Sequence, residues 1–281
     1  MLKRFLGIGI NNYPNSPLNG CIPDIMLAYK VAKENFKFNE FKLLSDMQAT
    51  GRNIRKNLEQ AFKGLKNGDF LYIHYSGHGS YYPCSNLTAT SETDYYDEVW
   101  VPIDFDINGP VIDNELNNLI KSVPEDVNIL IISDSCFSGT MTRANPGQKW
   151  KNRFMPPPLD VILDSGELSL DEYLAPNISK KASDNRRLKS FIVDTSSLQN
   201  KAILISGCGE KQTSADVYIP EIKRYHGALT YNLFSLLAQY SWRLTYEDLI
   251  ILINSVLDKA EYEQNPQLEC RSDLISSYFL D

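Results

Sequence analysis

The chain has 281 residues, 43% of them hydrophobic and 22% charged, with a formal net charge of −7. That length and balance suit one large α/β domain over 1–281 with a substantial core. The acidic charge and the lack of a long basic run exclude nucleic acid and anionic membrane as the expected partners, and an acidic cleft for basic substrates fits better.

In chain order, Lys3-Arg4 and the apolar run Phe5 to Ile10 mimic a signal peptide. Six apolar residues without a small-residue cleavage site read instead as a first strand, with no prodomain before it. No stretch approaches the roughly 18 apolar residues that span a bilayer. Strand-like runs at about 4–10, 41–44, 69–75, 129–134 and 202–206 alternate with helix-like segments at about 24–37, 51–65, 114–122, 227–240 and 246–258. This βαβ rhythm predicts a three-layer sandwich: a mostly parallel sheet covered by helices on both faces. Ligands in such sheets sit beyond the carboxyl ends of the strands.

Asp104-Phe105-Asp106-Ile107-Asn108-Gly109, with Glu115 further on, satisfies the EF-hand pattern. An EF-hand loop is entered from a helix, whereas Val99 to Ile103 reads as extended, so a hairpin-like turn centred on Asn108-Gly109 is expected. The stretch 141–200, with Pro156-Pro157-Pro158 and cations at Lys180-Lys181 and Arg186-Arg187, reads as a long, partly irregular insertion between a 1–140 part and a 201–281 part. Five scattered cysteines, Cys21, Cys84, Cys136, Cys208 and Cys270, indicate neither a disulfide framework nor a zinc site. A reducing, cytoplasmic compartment is expected, in which the acceptor-like Asn86-Leu87-Thr88 and Asn177-Ile178-Ser179 triplets are chance matches.

Two segments carry chemistry. Tyr75-Ser76-Gly77-His78-Gly79 and Ile131-Ile132-Ser133-Asp134-Ser135-Cys136-Phe137-Ser138-Gly139 each end a β-branched apolar run in small residues. A buried strand reads this way when it hands a reactive side chain to a loop. A thiolate is the effective nucleophile, and a histidine can hold it ionised or move its proton.

These two segments resemble the active-site motifs of the caspase clan, in its metacaspase and orthocaspase branch. Their separation, from 78 to 136, is near the roughly fifty residues given for caspase-type proteases. Lys3 to Tyr13 resembles the family's first strand, Leu18 to Asp24 its following loop, and Gln212 to Asp216 and Gly227 to Thr230 its C-terminal part, so the likeness spans almost the whole chain.

The resemblance implies a caspase-like fold and a cysteine endopeptidase in which Cys136 attacks the scissile carbonyl, His78 manages the proton, and the N–H groups of Cys136 and Gly79 receive the oxyanion. No residue that orients His78 is evident. By the same resemblance Cys21, Asp24, Ser76 and Asp134 line a pocket for the residue before the cut. Two carboxylates there call for a substrate arginine or lysine. Asp216 belongs near the cleft without an assigned role, His74 in the core, and His226 at the surface or a helix cap; Cys84, Cys208 and Cys270 read as structural. The insertion matches a region cut during activation in relatives, against a solvated loop without that role. The calcium site of some relatives maps to Asp97, Asp113, Asn114 and Arg143, where the neutral Asn114 and cationic Arg143 weaken it, so no metal or other cofactor is expected. The competing classes are an inactive interaction module, a clan member acting on a non-peptide acyl bond, and a zymogen awaiting a regulatory protein partner.

Overall fold

The computed structural model describes residues 1–83, 96–136, 150–157, 192–194, 201–209 and 212–281. Cys84, the two Asn-X-Ser/Thr triplets, Arg143, Lys180-Lys181 and Arg186-Arg187 lie outside the described residues.

In chain order the strands are β1 (Lys3–Gly9), β2 (Glu40–Ser45), β3 (Phe70–Ser76), β4 (Gly79–Pro83), β5 (Tyr96–Trp100), β6 (Val111–Ile112), β7 (Asn128–Asp134), β8 (Trp150–Asn152), β9 (Ile192–Asp194), β10 (Lys201–Ser206), β11 (Ala215–Ile219), β12 (Arg224–Gly227) and β13 (Gln267–Cys270). The helices are α1 (Cys21–Glu34), α2 (Gly51–Phe62), α3 (Phe105–Asn108), α4 (Asp113–Lys121), α5 (Ala228–Gln239) and α6 (Tyr246–Lys259).

All five strands expected from the apolar runs join one sheet of order β2-β1-β3-β7-β10-β13-β9. The pairs from β2 through β10 are parallel, and β13 runs antiparallel to β10. Side chains alternate across the sheet with period two, so neighbours enter opposite cores. Phe5, Tyr72, Leu130, Ile132, Ile203 and Ile205 pack with α1, α5 and α6. Leu6, Ile73, Ile129, Ile131 and Ala202 pack with α2 and α4. Each helix supplies one apolar stripe, as Ile54, Leu58, Ala61 and Phe62 do in α2. Thr50 and Thr245 start α2 and α6 by accepting from the N–H groups of Asn53 and Asp248.

Register sets the position of the site. Gly9 pairs with Ser76, Ser76 with Asp134, and Ser133 with Ser206, so the carboxyl ends of the central strands finish level. Two small sheets, β12-β11-β8 and β4-β5-β6, continue from that edge.

The turn expected at Asn108-Gly109 takes a different form. α3 is a single helical turn, closed by Gly109 in the left-handed region (φ 67°). The Asp104 carboxylate accepts from Gly51 N–H and the Asn108 amide, and Glu115 pairs with Arg55, so these EF-hand-like acids serve local structure. The chain enters this turn from the extended β5, as expected.

His74 is buried, with Nδ1 at 2.8 Å from the Tyr72 hydroxyl and Nε2 at 3.2 Å from Thr230 Oγ1. Burial holds it neutral by lowering its pKa to about 3. In the unfolded chain the ring takes up a proton below about pH 6.5, so between these values the unfolded state binds more protons and stability falls as pH drops. The contribution is about 1.4 kcal/mol per pH unit at most. Urea unfolding of the wild type is expected to lose stability more steeply between pH 6.5 and 4.5 than that of a His74→Gln variant; parallel slopes would contradict this.

Candidate active site

β3 ends in Ser76, and the next three residues form a tight loop. His78 N–H donates to the Tyr13 hydroxyl (3.0 Å) and its carbonyl accepts from the Tyr75 hydroxyl (2.6 Å). A Cβ at Gly77 would lie 2.6 Å from both tyrosine oxygens, and one at Gly79 only 2.0 Å from the Cys136 carbonyl oxygen. Glycine at 79 thus lets the two loops touch backbone to backbone. The His78 ring is buried under Tyr13, centroids 4.6 Å apart, and its Nε2 lies 2.7 Å from the Ser16 carbonyl. A carbonyl only accepts, so Nε2 carries the proton and Nδ1 keeps a lone pair. Nδ1 is buried with no hydrogen-bond partner among the described residues. Burial lowers the pKa of His78 to about 4. Ser16 is the orienting group that the sequence did not reveal.

β7 ends in Asp134, followed by Ser135 and Cys136. Trp100 Nε1 donates to Ser133 Oγ, which lies 2.9 Å from Ser135 Oγ. Cys136 is buried, and its sulfur accepts from the Ser214 N–H. The Cys208 thiol, read from the sequence as structural, adjoins Cys136. Its hydrogen bond to Cys136, with burial second, pushes its pKa well up. Phe137, Ser138 and Gly139 lie outside the described residues.

The acidic pocket forms at the same sheet edge. Asp24 comes from α1, Asp134 from β7 and Asp216 from β11, and all three are buried. The chain's own Arg153, fully buried, lies among them. Its Nη2 is 2.8 Å from Asp24 Oδ2 and 3.1 Å from Asp216 Oδ1. Its Nη1 donates to Ser76 Oγ (2.7 Å) and the Asp134 carbonyl (3.1 Å) and is 3.3 Å from Asp134 Oδ1. Cys21, a further expected pocket residue, is buried at the start of α1, where burial drives its thiol well up.

The backbone of this segment is equally engaged. The Arg153 carbonyl accepts from Gly79 N–H (3.0 Å) and Cys136 N–H (3.2 Å). Arg153 N–H donates to the Ser214 carbonyl, and β8 before it pairs antiparallel with β11. After it, Phe154 bridges Gly79 in parallel, and Met155 N–H donates to the Gly79 carbonyl (3.0 Å). Within 141–200 the described residues therefore include a short strand, β8, followed directly by the arginine that fills the pocket.

Charge explains the surrounding contacts. Burial opposes ionisation of Asp134, but Arg153, the Ser214 and Thr230 hydroxyls and the Thr230 N–H outweigh it and hold the acid below its usual range. At Asp24 burial wins and the pKa rises, against Arg153 and His226. His226, expected at the surface or a cap, instead sits buried in β12 with Nδ1 2.8 Å from Asp24 Oδ1. Asp216 accepts from the N–H groups of Asn19 and Gly20 and so ties β11 to the loop before α1. Gly20 is the capping position of α1, which leaves the Asp24 carboxylate to the pocket. Of the calcium positions, the Asn114 amide donates to Asp97 (3.0 Å) and Asp113 accepts from the Asn114 N–H.

Replacing Arg153 leaves buried carboxylates without their cation, a change that costs about 3 kcal/mol in such pairs. In a Cys136→Ala background, Arg153→Met is expected to lower unfolding stability by about that much at pH 7 and by less at pH 5, where the acids protonate more easily. A loss that grows toward pH 5 would contradict the charge balance described.

A family model for the metacaspase peptidase C14 domain matches residues 3–145. The chain is similar to Metacaspase-7 of Arabidopsis thaliana, 39% identical over 148 residues, a match that covers 50% of this chain and 35% of that protein. It is similar to Metacaspase-6 of the same organism, 26% identical over 376 aligned positions and covering 100% of both. Among solved structures it resembles protein GSU0716 from Geobacter sulfurreducens, with TM-score 0.68, 24% identity, and coverage of 99% of this chain and 98% of that one. That last likeness is one of fold, the caspase-like α/β sandwich with a mostly parallel central sheet.

Proposed function

The chain belongs to the metacaspases, a family of cysteine-type peptidases and so of hydrolases, and on that premise we propose that it is an endopeptidase that cuts after arginine or lysine and takes its own Arg153–Phe154 bond as a substrate. One observation carries the reading: the Arg153 side chain fills the acidic pocket while its carbonyl oxygen sits on the N–H groups of Gly79 and Cys136. Two N–H donors about 3 Å from one carbonyl oxygen are the arrangement that stabilises an oxyanion.

In the proposed reaction the Cys136 sulfur bonds to the carbonyl carbon, and the electron pair of the C=O moves onto the oxygen held by the two N–H groups. His78 Nδ1 takes the thiol proton and delivers it to the departing Phe154 amine as the C–N bond breaks. Water then attacks the thioester, giving its proton to His78 and releasing Cys136 and a carboxylate at Arg153. The low pKa of His78 keeps Nδ1 unprotonated at neutral pH, and the Ser16 carbonyl fixes the tautomer that presents it. Protein or peptide chains with a basic residue before the cut would bind in trans the same way. The guanidinium uses both Nη atoms on separate acids, which favours arginine over lysine, a single point charge.

A zymogen reading of the intact chain rests on the same contact: while Arg153 occupies the pocket, no other basic side chain can enter. Calcium is not a strict requirement in this proposal, because Asp97 and Asp113 are already engaged with Asn114.

Intact-mass spectrometry tests the reading. The wild type is expected to yield fragments 1–153 and 154–281, while Cys136→Ala and Arg153→Gln stay whole. Arg153→Lys should slow cleavage by roughly tenfold or more, the loss of one charge-assisted hydrogen bond. Equal masses for wild type and Cys136→Ala, or cleavage confined to Lys180-Lys181 or Arg186-Arg187, would contradict it.

A further inference from the structure

The segment around Arg153 makes side-chain contacts beyond the acidic pocket. Trp150, four residues before the Arg153–Phe154 bond, meets the Tyr262 ring edge to face, centroids 5.0 Å apart at 62°. Tyr262 follows α6 and is fixed there by its N–H donating to the Leu257 carbonyl (3.0 Å). Lys151, three before the bond, donates from Nζ to the Pro17 carbonyl (2.6 Å). Phe154, just after the bond, stacks on Tyr81 of β4 at 6.0 Å and 17°.

The backbone sets a frame for these contacts. β8 is the outer strand of β12-β11-β8, and β4 is the outer strand of β4-β5-β6. The segment pairs antiparallel with β11 before the bond and in parallel with Gly79 of β4 after it. An extended peptide adding to those two edges would be held in register, with alternate side chains directed to fixed positions, the usual mode of strand addition. Trp150 and Phe154 are thereby positioned against Tyr262 and Tyr81 by the same backbone bonds that put the Arg153 carbonyl over Cys136.

Resting on the endopeptidase reading, the geometry points to Tyr262 and Tyr81 as specificity-determining residues. They select an aromatic side chain four residues before the cut and another directly after it, in addition to arginine at the cut. The substrate class is an extended peptide of the pattern aromatic, basic, any residue, arginine, then aromatic, and the chain's own Trp150 to Phe154 is its template. An aromatic pair of this kind contributes roughly 3- to 10-fold.

The test uses the full chain carrying Cys136→Ala together with Trp150→Ala, Arg153→Ala and Phe154→Ala, which removes the side chains that occupy the three positions and prevents cleavage. Calorimetry compares acetyl-Trp-Lys-Asn-Arg-Phe-amide with versions having alanine for the tryptophan or for the arginine. Loss of tryptophan should weaken binding roughly 3- to 10-fold, the loss should vanish on adding Tyr262→Ala, and Tyr262→Phe should restore it. Equal binding with and without tryptophan overturns the inference, as does binding by none of the peptides. If only the arginine-to-alanine peptide binds undiminished, the basic-pocket reading falls while the aromatic preference stands. Where the opened chain does not fold, self-cleavage of otherwise wild-type protein decides. Trp150→Ala is expected to lengthen the half-time roughly 3- to 10-fold with Trp150→Tyr rescuing it, and an unchanged half-time overturns the inference.

Discussion

Everything at this sheet edge depends on one cation held among three buried acids. Carboxylates from α1, β7 and β11 would repel one another in a water-poor site, and removing them from water is costly. Arg153 offsets that cost by offering Nη2 to both Asp24 and Asp216 and Nη1 to Asp134. Hydroxyls of Ser76, Ser214 and Thr230 and the N–H of Gly227 occupy carboxylate oxygens that the guanidinium does not satisfy alone. The pocket is thus built for a cation with two hydrogen-bonding ends, and the chain supplies one from its own insertion.

The fold makes this arrangement in steps that can be traced. Two-residue alternation in β1, β3, β7 and β10 divides the apolar side chains between two helix layers and fixes register. Fixed register ends β3 and β7 level, so Ser76 stands beside Asp134 and the loops that follow carry His78 and Cys136 on adjacent paths. Gly79 then allows the loops to approach until their N–H groups share a single carbonyl, that of Arg153. A side chain at either Gly79 or Gly227 would push this assembly apart, since a Cβ at Gly227 would meet Asp134 Oδ2 at 2.1 Å.

Much of the fold was legible because strong patterns mark it. The central strands are largely apolar runs, and α2 and α6 carry both a capping threonine and an apolar stripe. The short strands β4, β8, β11 and β12 were not legible; they are rich in tyrosine, glycine and charge and are stabilised by tertiary pairing instead of local propensity. At the site, Asp24, Ser76, His78, Gly79, Asp134 and Cys136 could be picked out because they end strands or open a helix within recognisable motifs. Arg153 could not. It lies in a proline-bordered insertion where a cation reads as solvated surface, and its partners are 129, 19 and 63 positions away. Ser16 was hidden for another reason: it acts through a backbone carbonyl, which leaves no trace in residue type. His226 was misjudged because its partner Asp24 is 202 positions distant.

The central claim is that the Arg153 segment occupies the acidic pocket of the same molecule, with its carbonyl on the Gly79 and Cys136 N–H groups. The most direct measurement is the half-time of self-cleavage after Arg153 across a hundredfold range of protein concentration. An intramolecular contact predicts a first-order process with a constant half-time and a new N-terminus at Phe154. A half-time that lengthens in proportion to dilution, or no cleavage after Arg153 at any concentration, would contradict the account.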